Sequence, residues 1–171
     1  MKILVSDTNI FIDLYNCGLL DLLFRLPARI HTVDVVLEEL KNPEQKAAVS
    51  RYQGTQDLYV KSLDGKEVQR VAEYMYKNAE HTNLTFEDCS VLCYTKQLND
   101  ARLLTGDQKL RHHAEKEGLL VSGILFLFDM FVEYKLLAEL DAANGLQGLR
   151  ESNPRLPQDA IEERINKWRK L

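Results

Sequence analysis

Two acidic residues each follow an apolar run: Asp7 comes after Ile3-Leu4-Val5, and Asp107 after Leu103-Leu104. Runs without polar alternation read as strands buried on both faces, as in a parallel sheet. Acids just past their ends would share the carboxyl edge, where such sheets open a crevice. Two further acids can be argued onto that edge. Asp88 lies in the first turn of a helix that Thr85 is placed to cap. Glu39 falls beside the apolar face set by Val33, Val36, Leu37 and Leu40, whereas Glu38 points farther from it. Glu39 is therefore the better candidate of the adjacent pair.

Each acid has an ordinary structural use as well. Asp88 can complement a helix dipole, Asp107 can cap a helix after Gly106, and Glu39 can be solvated. Asp7 is the hardest to explain that way, because a charge beside a core strand is costly without a partner. Taken together, the acids call for a cation. Unit like charges about 4 Å apart repel by roughly 4 kcal/mol at an effective dielectric of 20. A hard divalent cation reverses that sign, and an all-oxygen donor set points to Mg²⁺ or Mn²⁺ rather than Zn²⁺. A zinc site from Cys89, Cys93, His112 and His113 matches no closed four-ligand spacing.

The elements that position these residues alternate. Strands are expected at Ile3–Val5, Ile30–Val33, Leu58–Val60, Arg102–Thr105 and Leu119–Val121. Helical patterns separate them, with Pro43 ending or kinking one and Gly118 stopping another. The expected fold is therefore α/β, a three-layer sandwich around a mostly parallel sheet. From about Leu137 the pattern is all-helical, so residues 1–136 are expected to form the main domain and 137–171 a helical extension packed on it. In that extension Pro157 suits a first helical position, and Ile161, Ile165 and Trp168 form one apolar stripe, fit to dock on the domain or to face a partner.

The chain has 171 residues, 45% apolar and 28% charged, with a net charge of −4. That suits one soluble domain with a proper core. The acidic balance argues against a large basic nucleic-acid footprint, though not against a small site reaching phosphate through metal. No stretch suits a membrane span, the N-terminus lacks a signal-peptide layout, and the odd count of three cysteines suits a reducing compartment, so a cytoplasmic location is expected.

In their order and spacing, ILVSDTNIFIDL, VVLEEL, TFEDCSVLCYTKQL and LLTGDQKLRHHAEKEGL resemble the PIN-domain nucleases, over roughly residues 1–131. The helical tail is similar to the extension of certain prokaryotic, VapC-like members. The resemblance implies that Asp7, Glu39, Asp88 and Asp107 bind the catalytic metal, with Asn9 and Thr105 orienting ligands or water. It implies a Mg²⁺- or Mn²⁺-dependent endoribonuclease that leaves a 5′-phosphate. It also implies a toxin role, a small antitoxin protein as partner and a homodimer. Arg102, Lys109, Arg111 and Lys116 lie near the last acid in sequence and are candidates for phosphate contact, although each also suits a solvated helix face. Some relatives carry a further acid after the last Asp; here Gln108 and Lys109 follow, leaving open one metal ion or two. A catalytically inactive RNA-binding or protein-interaction module on the same fold is the alternative. An aspartyl phosphatase would need a second Asp where Asn9 stands.

Overall fold

The computed structural model describes residues 2–170. Five parallel strands form one sheet: β1 (Lys2–Ser6), β2 (Ala28–Val33), β3 (Leu58–Lys61), β4 (Ala101–Leu104) and β5 (Leu120–Ser122). Their order is β3-β2-β1-β4-β5. The chain thus builds outward from β1 to β3, returns to the other side of β1 for β4, and continues to β5. The order reverses between β1 and β4, which pair with Ser6 opposite Leu104. Open parallel sheets place their crevice at such a reversal, outside the carboxyl ends of the strands.

Leu4 and Val5 of β1 and Leu103 and Leu104 of β4 are wholly buried, as two-faced burial requires. Helices cover both faces of the sheet, in a three-layer α/β arrangement. They are α1 (Thr8–Asn16), α2 (Leu20–Leu23), α3 (Asp34–Glu39), α4 (Pro43–Ser50), α5 (Gly65–Asn78), α6 (Phe86–Gln97), α7 (Gln108–Lys116) and α8 (Ile124–Glu133). Helix α6 lies across β1, β2 and β4. Pro43 starts α4 rather than ending the preceding helix. Asn42 caps α4 by accepting from the Glu44 and Gln45 amides, and proline at N1 forfeits no intrahelical bond. The apolar run after Leu19 yields only the single turn α2 before β2 begins.

The tail forms α9 (Glu139–Ser152) and α10 (Gln158–Arg169), with Pro157 one position before the first helical residue. Helix α9 sits against α8. A Cβ at Gly145 would stand 3.1 Å from the Phe128 ring, so glycine permits the close approach. Helix α10 packs on α9, and Ile161, Ile165 and Trp168 are buried inside the chain rather than left for a partner. The Arg164 guanidinium donates to both carboxylate oxygens of Asp129 on α8, at 2.8 and 2.6 Å.

Trp168 is the sole tryptophan and reports on the tail, while far-UV circular dichroism reports on the whole chain. Ile161→Ala empties a fully buried site and is expected to cost about 2–5 kcal/mol. Both signals should shift together in urea. A shift confined to Trp168 fluorescence would show the tail to be a separately folding unit.

Candidate active site

Asp7 immediately follows β1, is 3% exposed and caps α1. Its Oδ1 accepts from the Thr8 amide at 2.7 Å. Its Oδ2 accepts from the Asn9 side-chain amide and from the Thr105 hydroxyl, each at 2.8 Å. The Asp7 amide donates to the Leu104 carbonyl at 3.0 Å. Asn9 then reaches across the strand ends, its Oδ1 accepting from the Gly106 amide at 2.7 Å. The two strand ends are thus joined by a clasp of Asp7, Asn9, Thr105 and Gly106. Asn9 and Thr105, which the family resemblance gave as orienting residues, both hydrogen-bond the Asp7 carboxylate.

The other acids enter from three further elements. Glu39 closes α3, is half-buried and accepts from the Thr8 hydroxyl at 2.5 Å, while Glu38 beside it is exposed. Asp88 is half-buried in a reciprocal capping box: the Thr85 amide donates to its Oδ2 at 2.9 Å, and its own amide donates to the Thr85 hydroxyl. Asp107 caps α7, accepting from the Leu110 amide at 2.8 Å. The structural uses of Asp88 and Asp107 therefore coexist with their place near the sheet edge.

The carboxylates feel one another. Burial raises the Asp7 pKa from 3.8 to about 7, against the lowering by Thr105 and Thr8, and the charges of Asp88 and Glu39 push it the same way. Burial likewise raises Glu39, with Glu87 and Asp88 adding repulsion. Asp88 is raised by burial and by the charges of Asp107 and Glu87. Asp88 is therefore coupled to each of the other three acids. Glu87 is a further member of the cluster that the motifs did not single out, although its place beside Asp88 was the available signal. Thr8, which links the Asp7 segment to Glu39, had no such signal.

By donor type the cluster suits a hard divalent cation. It offers only oxygen donors. In Glu39, Asp88 and Asp107 one carboxylate oxygen is hydrogen-bonded, and no hydrogen bond among the described residues reaches the other. The cluster is open, however. Among the described residues no three carboxylate, thiol or imidazole groups stand close enough together to close around a metal ion. An open set suits Mg²⁺, which takes few carboxylates and keeps several waters. Cys89 adjoins Asp88, but burial, with the charges of Cys93 and Asp88, raises its thiol to about 12, and His113 is hydrogen-bonded to the Tyr74 hydroxyl at 2.6 Å.

Beside the acids lies a cleft of about 840 Å³, lined in part by Asn9, Thr105, Asp107, Lys109 and Arg111. Arg102 and Lys116 do not line it. Arg102 donates to the Ser122 hydroxyl at 2.6 Å and lies over the Phe126 ring, and Lys116 stands at the far end of α7.

The sequence model of the PIN-domain family matches residues 3–170. The chain belongs to the PIN-domain family, whose members are in general metal-dependent nucleases. No curated protein matches it. Among solved structures it is similar to a chain of VapBC2 from Rickettsia felis bound to a DNA fragment from its promoter. That likeness has 18% identity and a TM-score of 0.46, over 71% of this chain and 98% of the other. Among the described residues no helix is long and apolar enough to cross a membrane.

The raised pKa of Asp7 has a definite consequence for stability. The native state holds its proton up to about pH 7, whereas an ordinary Asp releases it near 3.8. Between those values the folded chain binds more protons than the unfolded one, so stability falls as pH rises through the window. In a chelating buffer the wild type should lose stability between pH 4 and pH 7 more steeply than Asp7→Asn, by up to about 1.4 kcal/mol per pH unit. Parallel urea-unfolding profiles for the two proteins would contradict this.

Proposed function

We propose that the chain is a divalent-metal-dependent endoribonuclease, with Asp7, Glu39, Asp88 and Asp107 as the residues that hold Mg²⁺ or Mn²⁺. The observation that carries this reading is the Asp7 carboxylate clasped by Asn9 and Thr105 at the strand-order reversal, with Glu39 joined to its segment through Thr8, in a chain of the PIN-domain family. A bound divalent ion would supply Lewis-acid charge and lower the pKa of a water facing a phosphodiester.

The protein's own part is placement. Thr105, Asn9 and the Thr8 amide hold the Asp7 carboxylate in one orientation. Thr8 does the same for Glu39, and the capping box does it for Asp88. Such supporting hydrogen bonds fix ligand direction and commonly matter 10–100-fold. Lys109 and Arg111, at the cleft, are placed to meet backbone phosphates, which positions RNA without reading its sequence. Within this reading, residues 1–136 carry the chemistry and the α9–α10 extension completes the cleft wall. The protein acts as the toxin of a toxin–antitoxin pair, with a small antitoxin protein as partner and a homodimer as the assembled form.

A non-catalytic RNA- or protein-binding module is the second reading, favoured by the open spacing of the acids. RNA cleavage separates the two. Wild type should cut single-stranded RNA with Mg²⁺ and not with chelator. Asp7→Asn should lower the rate at least about 100-fold, and Asn9→Ala about 10–100-fold. Cleavage by Asp7→Asn at the wild-type rate would overturn the assignment, and absence of any Mg²⁺-dependent cleavage would favour the binding module.

A further inference from the structure

The cleft beside the acids has a second wall whose chemistry the nuclease reading leaves unused. It extends from Asn9 and Thr105 to the turn between α9 and α10, and its volume of about 840 Å³ is ample for a nucleotide-sized ligand. On α1, Asn9, Ile12 and Asp13 face it at spacings of three and four residues, which share one side of a helix. Asp13 therefore stands one helical turn beyond the residue that grips Asp7. Opposite it, the turn contributes Asn153, Pro154 and Arg155.

Asp13 and Asn153 meet across the cleft, 140 residues apart in sequence. The Asn153 side-chain Nδ2 donates to Asp13 Oδ2 at a long 3.5 Å. No hydrogen bond among the described residues reaches Asp13 Oδ1, and the second N–H of that amide is unused. A carboxylate that only accepts thus stands beside an amide that donates. Ile12 and Pro154 add apolar surface suited to the face of a planar ring. Arg111 is held at the same cleft: its guanidinium donates to the Thr105 carbonyl at 3.3 Å, and a Cβ at Gly123 would approach it to 3.0 Å. Among the described residues Arg155 has no carboxylate within salt-bridge distance.

Single-stranded RNA is read through splayed bases, by stacking and by hydrogen bonds to their Watson–Crick edges. Guanine is the base that presents two neighbouring N–H donors, N1–H and N2–H, followed by an acceptor, O6. The Asp13 carboxylate and the Asn153 amide present the complementary order of acceptor, acceptor and donor. Adenine and cytosine offer a single donor group beside ring acceptors, and uracil a single donor between two acceptors.

We propose that this cleft is a guanine subsite for single-stranded RNA, in which Asp13 accepts from N1–H and N2–H and Asn153 donates to O6. Arg111 and Arg155 meet the adjoining phosphates. The proposal rests on the nuclease reading for its RNA substrate, and it makes the α9–α10 turn a specificity element.

Binding in chelator tests the subsite without cleavage. The probe is a 5′-labelled pentanucleotide of uridines with a central guanosine, compared with the same strand carrying adenosine. Wild type should prefer guanosine at least about tenfold, since a good bidentate base contact discriminates by about 1–3 kcal/mol. Asp13→Asn, which keeps an acceptor for Asn153, should bring the preference to within about twofold at unchanged melting temperature, and Asn153→Ala should weaken it. Equal binding of both strands by wild type, or an undiminished preference in Asp13→Asn, would overturn the proposal. Cleavage of the same strands with Mg²⁺ separates the two readings. Guanosine-selective binding without cleavage supports the subsite and sinks the nuclease. Cleavage indifferent to guanosine and to Asp13→Asn sinks the subsite and leaves the nuclease standing.

Discussion

The carboxylate of Asp7 lies where the strand order reverses, almost without solvent, and the neighbouring structure is arranged around it. An uncompensated carboxylate in such a place would shift its pKa or unfold the chain. Three hydrogen bonds from Thr8, Asn9 and Thr105 partly offset the loss of water, and its pKa still rises to about 7. Those bonds also determine geometry elsewhere. Thr105 can reach Asp7 because β4 pairs directly with β1, and Asn9 can reach Gly106 because α1 begins immediately after its cap, Asp7. The parallel sheet, the α1 cap and the β4–α7 turn therefore meet at one group.

Around that group, acids accumulate rather than cancel. Asp88 and Asp107 each satisfy one oxygen locally, Glu39 satisfies one through Thr8, and no hydrogen bond among the described residues reaches the other oxygen of any of the three. Capping by Asp88 and Asp107 explains how the fold tolerates their charges, since helix N-termini favour anions. It does not account for gathering them beside Asp7, where mutual repulsion raises pKa values. The divalent cation proposed for this site would account for it, and PIN-domain proteins are in general metal-dependent nucleases.

Much of this arrangement was legible in the sequence. Ile3–Val5 and Leu103–Leu104 carry the unalternating apolar signal of central strands, so the acids after them fall on one edge. Thr85 with Asp88 reads as a cap because capping is local. What could not be read depends on long-range placement. Thr8 meets Glu39 from 31 residues away. Asp13 meets Asn153 only because α10 folds back on α9 and α9 docks on α8 through Gly145. Arg102 and Lys116 looked close to the acids along the chain, yet only Lys109 and Arg111 of the four cations line the cleft beside them. Periodicity likewise marked the Ile161, Ile165 and Trp168 stripe as apolar, while only tertiary packing decides that it faces inward.

In the proposed function the four acids act together on one kind of ion at the β1–β4 edge. Crystals soaked in Mn²⁺ and measured at the manganese absorption edge locate that ion directly. An anomalous peak is expected at the carboxyl end of β1, within ligand distance of Asp7 or Asp88, and should be lost in Asp88→Asn crystals. Manganese bound only elsewhere on the chain, or a peak at this edge that survives Asp88→Asn unchanged, would contradict this reading.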